Sequence, residues 1–292
     1  MSKKWFQLSE QGAGAKRLLL TKYIYQFLGE FPVRIIAFFV ALIVFIKAKE
    51  QRRASEKFLK IVNNKFVIIS SFIQFLNYAN SLVDKFISCL GKLNPDRFEL
   101  SSPEVYKGAF FITTHVGNVE ILRSLFQSDK YPNPQRVNVF LQSNACEIFN
   151  NFLKTLEIKL NIDVFPVEQI NPQVSILISE RLKNGEIVFM AGDRVSAQNE
   201  NRTYTADFLG KKAQFPLGTL KFALMMDVPV YFIVCVSEGK KYKVYTEKFV
   251  TDKSRRNEKL QELQLQYVKF LEKHALKYPY QFYNFFDLFE EE

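Results

Sequence analysis

Histidine, cysteine and tryptophan are scarce in this chain: two, three and one among 292 residues. Cys89, Cys146 and Cys235 stand far apart without metal-ligand spacing, so neither a metal site nor a disulfide framework is expected. Buried reduced thiols fit better, and with them a cytosolic compartment. Long Pro/Gly/Ser tracts and internal repeats are also missing, which argues against disorder and repeat architectures. No Ser or Cys lies in a Gly-x-Ser-x-Gly context, so a covalent acyl-enzyme is not expected. The apolar run from Ile35 to Ile46 is too short for a full span, which needs about 20 apolar residues. Extending it back to Phe27 admits Glu30, Pro32 and Arg34, and no small-residue cleavage site follows it.

What is abundant is apolar and basic. The chain is 48% hydrophobic, with 30 Phe and 13 Tyr, enough for one large domain with a substantial core plus a smaller helical appendage. The formal charge of +10 suits anionic lipid headgroups, a phosphate-bearing substrate or an acidic protein partner. Nucleic acid is the weaker partner, because the cations are dispersed rather than gathered around stacking aromatics. The Ile35–Ile46 run is flanked by Arg34 and by Lys47, Lys49, Arg52 and Arg53. That pattern predicts an anchor lying on or dipping into the cytoplasmic face of a membrane, its cations among headgroups. A buried helix or an oligomer contact is the alternative.

Hydrophobic periodicity divides the chain into residues 1–96, a helical membrane-associating module, and residues 97–292, an α/β domain. Ser9-Glu10-Gln11-Gly12 breaks a polar start. Helices are expected over 15–28, through the apolar run, and as one long stretch over 50–90. Strands are then expected over 108–113, 136–141, 163–167, 187–191, 228–236 and 241–246. Helices over 118–127, 145–156, 172–182 and 218–226 alternate with them, and a last helix covers 257–276. The fold class is therefore α/β, a mixed central sheet flanked by helices.

Chemistry concentrates in three places. Thr113-Thr114-His115-Val116-Gly117-Asn118-Val119-Glu120 follows the strand-like Gly108–Ile112 and leads into a helical pattern. His115 at such a junction is placed as a general base, with Glu120 fixing its tautomer; a capping histidine near a surface glutamate fits the same residues. Gly192-Asp193-Arg194 ends the strand 187–191, where ligands of α/β sheets bind, and Arg194 offers a planar fork for phosphate or carboxylate. Ala206–Gly218 reads as a tight turn leading to a loop, with Gly218 opening a helix whose N–H groups and Lys221 can receive an oxyanion or phosphate. There Lys211 and Lys212 add charge, and Phe208 and Phe215 line an apolar slot. His274, in a Lys-flanked helix, is read as a surface or partly buried bystander.

Together these blocks resemble the lysophospholipid acyltransferase superfamily, and within it the branch of lipid A late acyltransferases. The resemblance rests on His115 and Glu120 with four residues between them, Gly117-Asn118 among these. It continues through Ala191–Ser196, through Phe208-Leu209-Gly210 with Phe215–Gly218, through Asp227-Val228-Pro229-Val230, and into the aromatic ending at 281–286, where Phe282 stands in place of the usual tryptophan. It implies catalytic His115 and Glu120, with substrate bound by Gly117, Asn118, Arg123, Asp193 and Arg194. Phe215, Pro216, Gly218 and Lys221 complete that set. It further implies an acyl thioester donor, acyl carrier protein or acyl-CoA, an envelope-lipid or lipid-like acceptor hydroxyl, and a site on the cytoplasmic face of the bacterial inner membrane. No cofactor is expected beyond the thioester co-substrate. A hydrolase using the same pair on water, or an inactive membrane scaffold, are the alternatives.

Overall fold

Alternation along the central strands sets the architecture. In a computed structural model describing residues 15–62, 64–101, 106–126, 128, 136–157, 161–195 and 202–289, Phe110 and Ile112 of strand β2 (Phe110–Gly117) face one core and Phe111 faces another. The break at Ser9–Gly12 and Ser196 lie outside the described residues. Strand β8 (Val230–Glu238) alternates the same way: Phe232, Val234 and Val236 on the first face, Tyr231, Ile233 and Cys235 on the second. Strands covered on both faces read as continuous apolar runs for this reason.

The seven strands run in the order β1-β9-β8-β2-β5-β3-β4. The others are β1 (Phe98–Leu100), β3 (Val137–Leu141), β4 (Ile162–Pro166), β5 (Ile187–Ala191) and β9 (Lys241–Lys248). All neighbours are parallel except β8 and β9, a hairpin turned at Gly239. The mixed, helix-flanked sheet expected from the sequence is present. The short edge strand β1 was not anticipated; three residues carry too little pattern.

The first face is covered by α7 (Pro172–Lys183), α8 (Leu217–Met225) and α9 (Arg256–Lys277), the second chiefly by α4 (Val67–Cys89). Helices α1 (Ala15–Leu28), α2 (Glu30–Lys47) and α3 (Lys49–Ile61) precede α4, while α5 (Arg123–Phe126) and α6 (Ser143–Leu156) lie among the strands. The single helix expected over 50–90 is thus two. Asn64 makes the break, its side-chain oxygen accepting from the Phe66 N–H (2.9 Å) and the Ser70 hydroxyl (3.0 Å). Such local bonds compete with helical ones without disturbing apolar periodicity. The helix expected over 118–127 is a 3-10 turn, Val119–Leu122, running into α5. The expected loop at 206–218 is mostly a hairpin, β6 (Thr203–Phe208) and β7 (Lys211–Pro216), turned at Leu209-Gly210 with both residues at positive φ.

Phe58 and Leu59 of α3 join the first core, and Val33 and Ala37 of α2 join the second. Helix α2 meets α4 through the small stripe Val33, Ala37 and Ala41 and through Arg34, which donates to Asn80 (3.1 Å) and Asp84 (2.6 Å). Its larger apolar side chains face outward: Phe31, Phe39, Ile43 and Ile46 are exposed, as are Phe27 before it and Phe66, Ile68 and Ile69 at the start of α4. A buried core helix is therefore excluded for α2. No single helix among the described residues is long and apolar enough to cross a membrane; α2 and α3 meet that test only together, bent by 92°.

His274 is not at the surface. It is 2% exposed, packed among Phe270, Tyr245 and Tyr278, and neither ring nitrogen has a hydrogen-bond partner among the described residues. Burial, reinforced by Lys273 and Lys277 and opposed by Glu247, pushes its pKa down to about 4. The folded state therefore binds this proton less readily than the unfolded chain. Stability is full above pH ~6.5 and is lost as pH falls toward ~4, by about 2 kcal/mol once solvent screening is allowed for. Urea unfolding between pH 7 and 4.5 should show this slope in the wild type, and His274→Phe should flatten it.

Candidate functional site

The carboxyl ends of β2 and β5 meet at one wall of a cavity of about 1610 Å³. Thr113 and Ala191 are register partners in these adjacent parallel strands. His115 and Asp193 each lie two residues further on, which sets them side by side. Asp193 is wholly buried; its Oδ1 lies 2.7 Å from His115 Nδ1, and its Oδ2 accepts from the His115 backbone N–H at 2.7 Å. Burial raises the Asp193 pKa, but the charge and hydrogen bonding of His115, with Arg194 adding, hold it below the usual carboxylate value. An anion fixed at Nδ1 selects the tautomer with its proton there and leaves Nε2 as the acceptor. The imidazole lines the cavity, its side chain 31% exposed.

The sequence pairs His115 with Glu120, but in the structure the carboxylate at Nδ1 is that of Asp193. Glu120 lines the same cavity, but its carboxylate forms an ion pair with Lys85 of α4. The tight 3-10 turn after Asn118 carries it toward α4, away from the Nδ1 edge of the ring. Desolvation against the crowded cavity wall raises the Glu120 pKa although the side chain is 46% exposed; the Lys85 charge and hydrogen bond, then Arg123 and His115, bring it below its ordinary value. Glu120 thus remains an anion near His115 without holding it.

The other expected residues separate into two groups. Gly117, Asn118, Arg194, Pro216, Gly218 and Lys221 line the cavity. Asn118 also donates to the Ser81 carbonyl at 2.7 Å, and its backbone N–H to the Cys235 carbonyl at 2.6 Å. Arg123 does not line the cavity. It is buried against α4, donating to Ser88 Oγ and the Lys85 carbonyl, each at 3.1 Å, so it anchors the turn rather than a substrate. Phe215 and Phe208 are wholly buried beneath the β6–β7 hairpin instead of lining a slot. Lys212 pairs with Asp207 across that hairpin, and neither Lys211 nor Lys212 lines the cavity. Arg194 lines the cavity, yet Nε donates to Asn284 Oδ1 (2.8 Å) and one terminal nitrogen to the Tyr283 carbonyl (2.7 Å). The Nε edge of its guanidinium, one of the two able to make a two-pronged anion contact, is therefore occupied by the chain's own ending.

Gly117 has a steric reason. At φ +72, a Cβ on it would lie 2.0 Å from the Cys235 carbonyl oxygen. Gly117→Ala is expected to cost more than about 3 kcal/mol, read by urea unfolding, because backbone strain and a backbone clash add.

Sequence reading missed Arg202 and Arg256, which add cations to the cavity lining, and Asn284. Helix α2 supplies Val33, Ile36, Ala37 and Val40 to the wall, so the helical segment is part of the site. Among the described residues no group of three or more His, Cys, Asp or Glu is placed to hold a metal ion. No protein-family model matches the chain, and no curated protein matches it.

Proposed function

We propose that this chain is an acyltransferase that moves a fatty acyl group from an acyl thioester to a hydroxyl of a lipid-like acceptor at a membrane surface. One observation carries the reading: an imidazole oriented by a wholly buried carboxylate faces a large, mainly apolar cavity walled by an outwardly apolar helix. A polar metabolite would not need such walls, whereas an acyl chain does.

The acceptor O–H gives its proton to His115 Nε2 as the oxygen attacks the thioester carbonyl. Asp193 stabilises the imidazolium that forms. The tetrahedral oxyanion then collapses, the carbon–sulfur bond breaks, and the thiolate leaves with the proton from Nε2. The first N–H groups of α8, at Gly218 and Thr219, have no intrahelical acceptor and stand at the cavity wall to receive the oxyanion. Lys221, Arg202 and Arg256 give one region of the wall a cationic character suited to a phosphate-bearing substrate. The resemblance to lipid A late acyltransferases supports acyl carrier protein as donor and an envelope lipid as acceptor, on the cytoplasmic face of the inner membrane.

The test is mass spectrometry of lipid extracts from cells with and without the chain, followed by turnover of acyl thioester by purified protein with added lipid. A new acylated lipid that disappears with His115→Ala supports transfer. Thioester loss without acylated lipid would assign hydrolysis, and lipid binding unaffected by His115→Ala with no turnover in either protein would assign a scaffold.

A further inference from the structure

The chain's ending enters the site. Phe282 forms an antiparallel bridge with Val116, and the Tyr283 N–H donates to the His115 carbonyl at 2.8 Å. The segment therefore adds to the end of β2 at the histidine itself. Gln74 and Asn77 of α4 hold it there by donating to the carbonyls of Phe282 and Tyr280. The next residue, Asn284, is 2% exposed and uses both ends of its amide. Nδ2 donates to Asp193 Oδ2 at 3.3 Å, while Oδ1 accepts from Arg194 Nε at 2.8 Å.

We infer that Asn284 is a positioning residue for the His115–Asp193 pair, fixing the carboxylate and the neighbouring guanidinium from a segment some ninety residues away in sequence. A wholly buried carboxylate needs donors on both oxygens to stay anionic and in one rotamer. Oδ1 serves the imidazole, and Oδ2 is held by the His115 backbone and by Asn284. The same amide keeps Arg194 beside Asp193 rather than across the cavity. An aspartate is nearly the same shape but has no N–H; it would keep the Arg194 contact and set an oxygen against Asp193.

This rests on the proposed general-base role of His115 for its kinetic arm only. With two histidines in the chain, ¹⁵N NMR of labelled imidazoles reads His115 directly, and His274→Phe assigns the other signals. Asp193 faces the His115 ring directly and Glu120 acts on it from further off, while Arg194 and Lys85 lie beside those two carboxylates. In the wild type, His115 is expected as a single tautomer protonated at Nδ1. Asn284→Ala should populate both tautomers and lower kcat about tenfold, with KM within threefold. Asn284→Asp should lower kcat further and again leave both tautomers populated. Should the alanine variant fail to fold, the isosteric aspartate decides. A folded Asn284→Asp protein with wild-type tautomer and kcat overturns the inference. A wild type without transferase turnover sinks the transferase reading instead, while the NMR arm still judges Asn284.

Discussion

Replacing Asp193 by Asn is expected to lower the proposed acyl transfer about a thousandfold, whereas Glu120→Gln costs about tenfold. The order of the two effects is the sharp part. The chain's sequence pattern assigns the ring-orienting carboxylate to Glu120, and the geometry assigns it to Asp193, 2.7 Å from Nδ1. An amide at 193 can turn its NH₂ toward Nδ1, favour the tautomer with the proton on Nε2, and remove the base from the acceptor oxygen. It also removes the anion that offsets the imidazolium, in a buried place where water cannot substitute. Gln at 120 leaves the imidazole held; it breaks the ion pair with Lys85 on the cavity wall and removes an anion that acts on His115 only from a distance. Steady-state turnover of the two variants, with circular dichroism to show that both fold, decides the matter. Equal losses, or a larger loss for Glu120→Gln, would return the role to Glu120.

The second large effect concerns the membrane. Phe39 and Ile43 on the outer side of α2 are 56% and 52% exposed. Inserting the exposed half of each into acyl chains should contribute about 1 kcal/mol per side chain. Phe39→Asp with Ile43→Asp removes this and adds the cost of desolvating two carboxylates, so partitioning onto anionic vesicles should fall roughly 30- to 150-fold, or about 2–3 kcal/mol. The cations following α2, Lys47, Lys49, Arg52 and Arg53, are each worth about 1 kcal/mol near an anionic surface. Raising the salt should therefore weaken wild-type binding as well. His115→Ala should bind vesicles like the wild type. Vesicle binding by the doubly charged variant at wild-type strength would remove α2 from the interface, and a shift to monomer in sedimentation would instead mark α2 as a contact between copies.

Placement of the long central strands was legible because the core has two faces. Phe110-Phe111-Ile112 and Val230–Val236 are apolar at every position, as strands buried on both sides must be. The histidine at the end of one such strand and the aspartate at the end of another were visible for the same reason. Breaks made by a single polar side chain were not visible: Asn64 divides α3 from α4 through two local hydrogen bonds that leave the apolar period intact.

Which residue met which was decided elsewhere. The sequence by itself determined that His115 and Asp193 each lie near the carboxyl end of a buried strand, since that follows from local runs of side chains. It left open which strands are neighbours, because parallel pairing is set by the packing of helices between them and is not encoded in either strand alone. Only the order β8-β2-β5, with Thr113 opposite Ala191, set His115 against Asp193, and only the packing of α4 drew Glu120 to Lys85. The ending at Phe282–Asn284 reaches the same point from the far end of the chain, by bonds to α4 and β2 that no local pattern records.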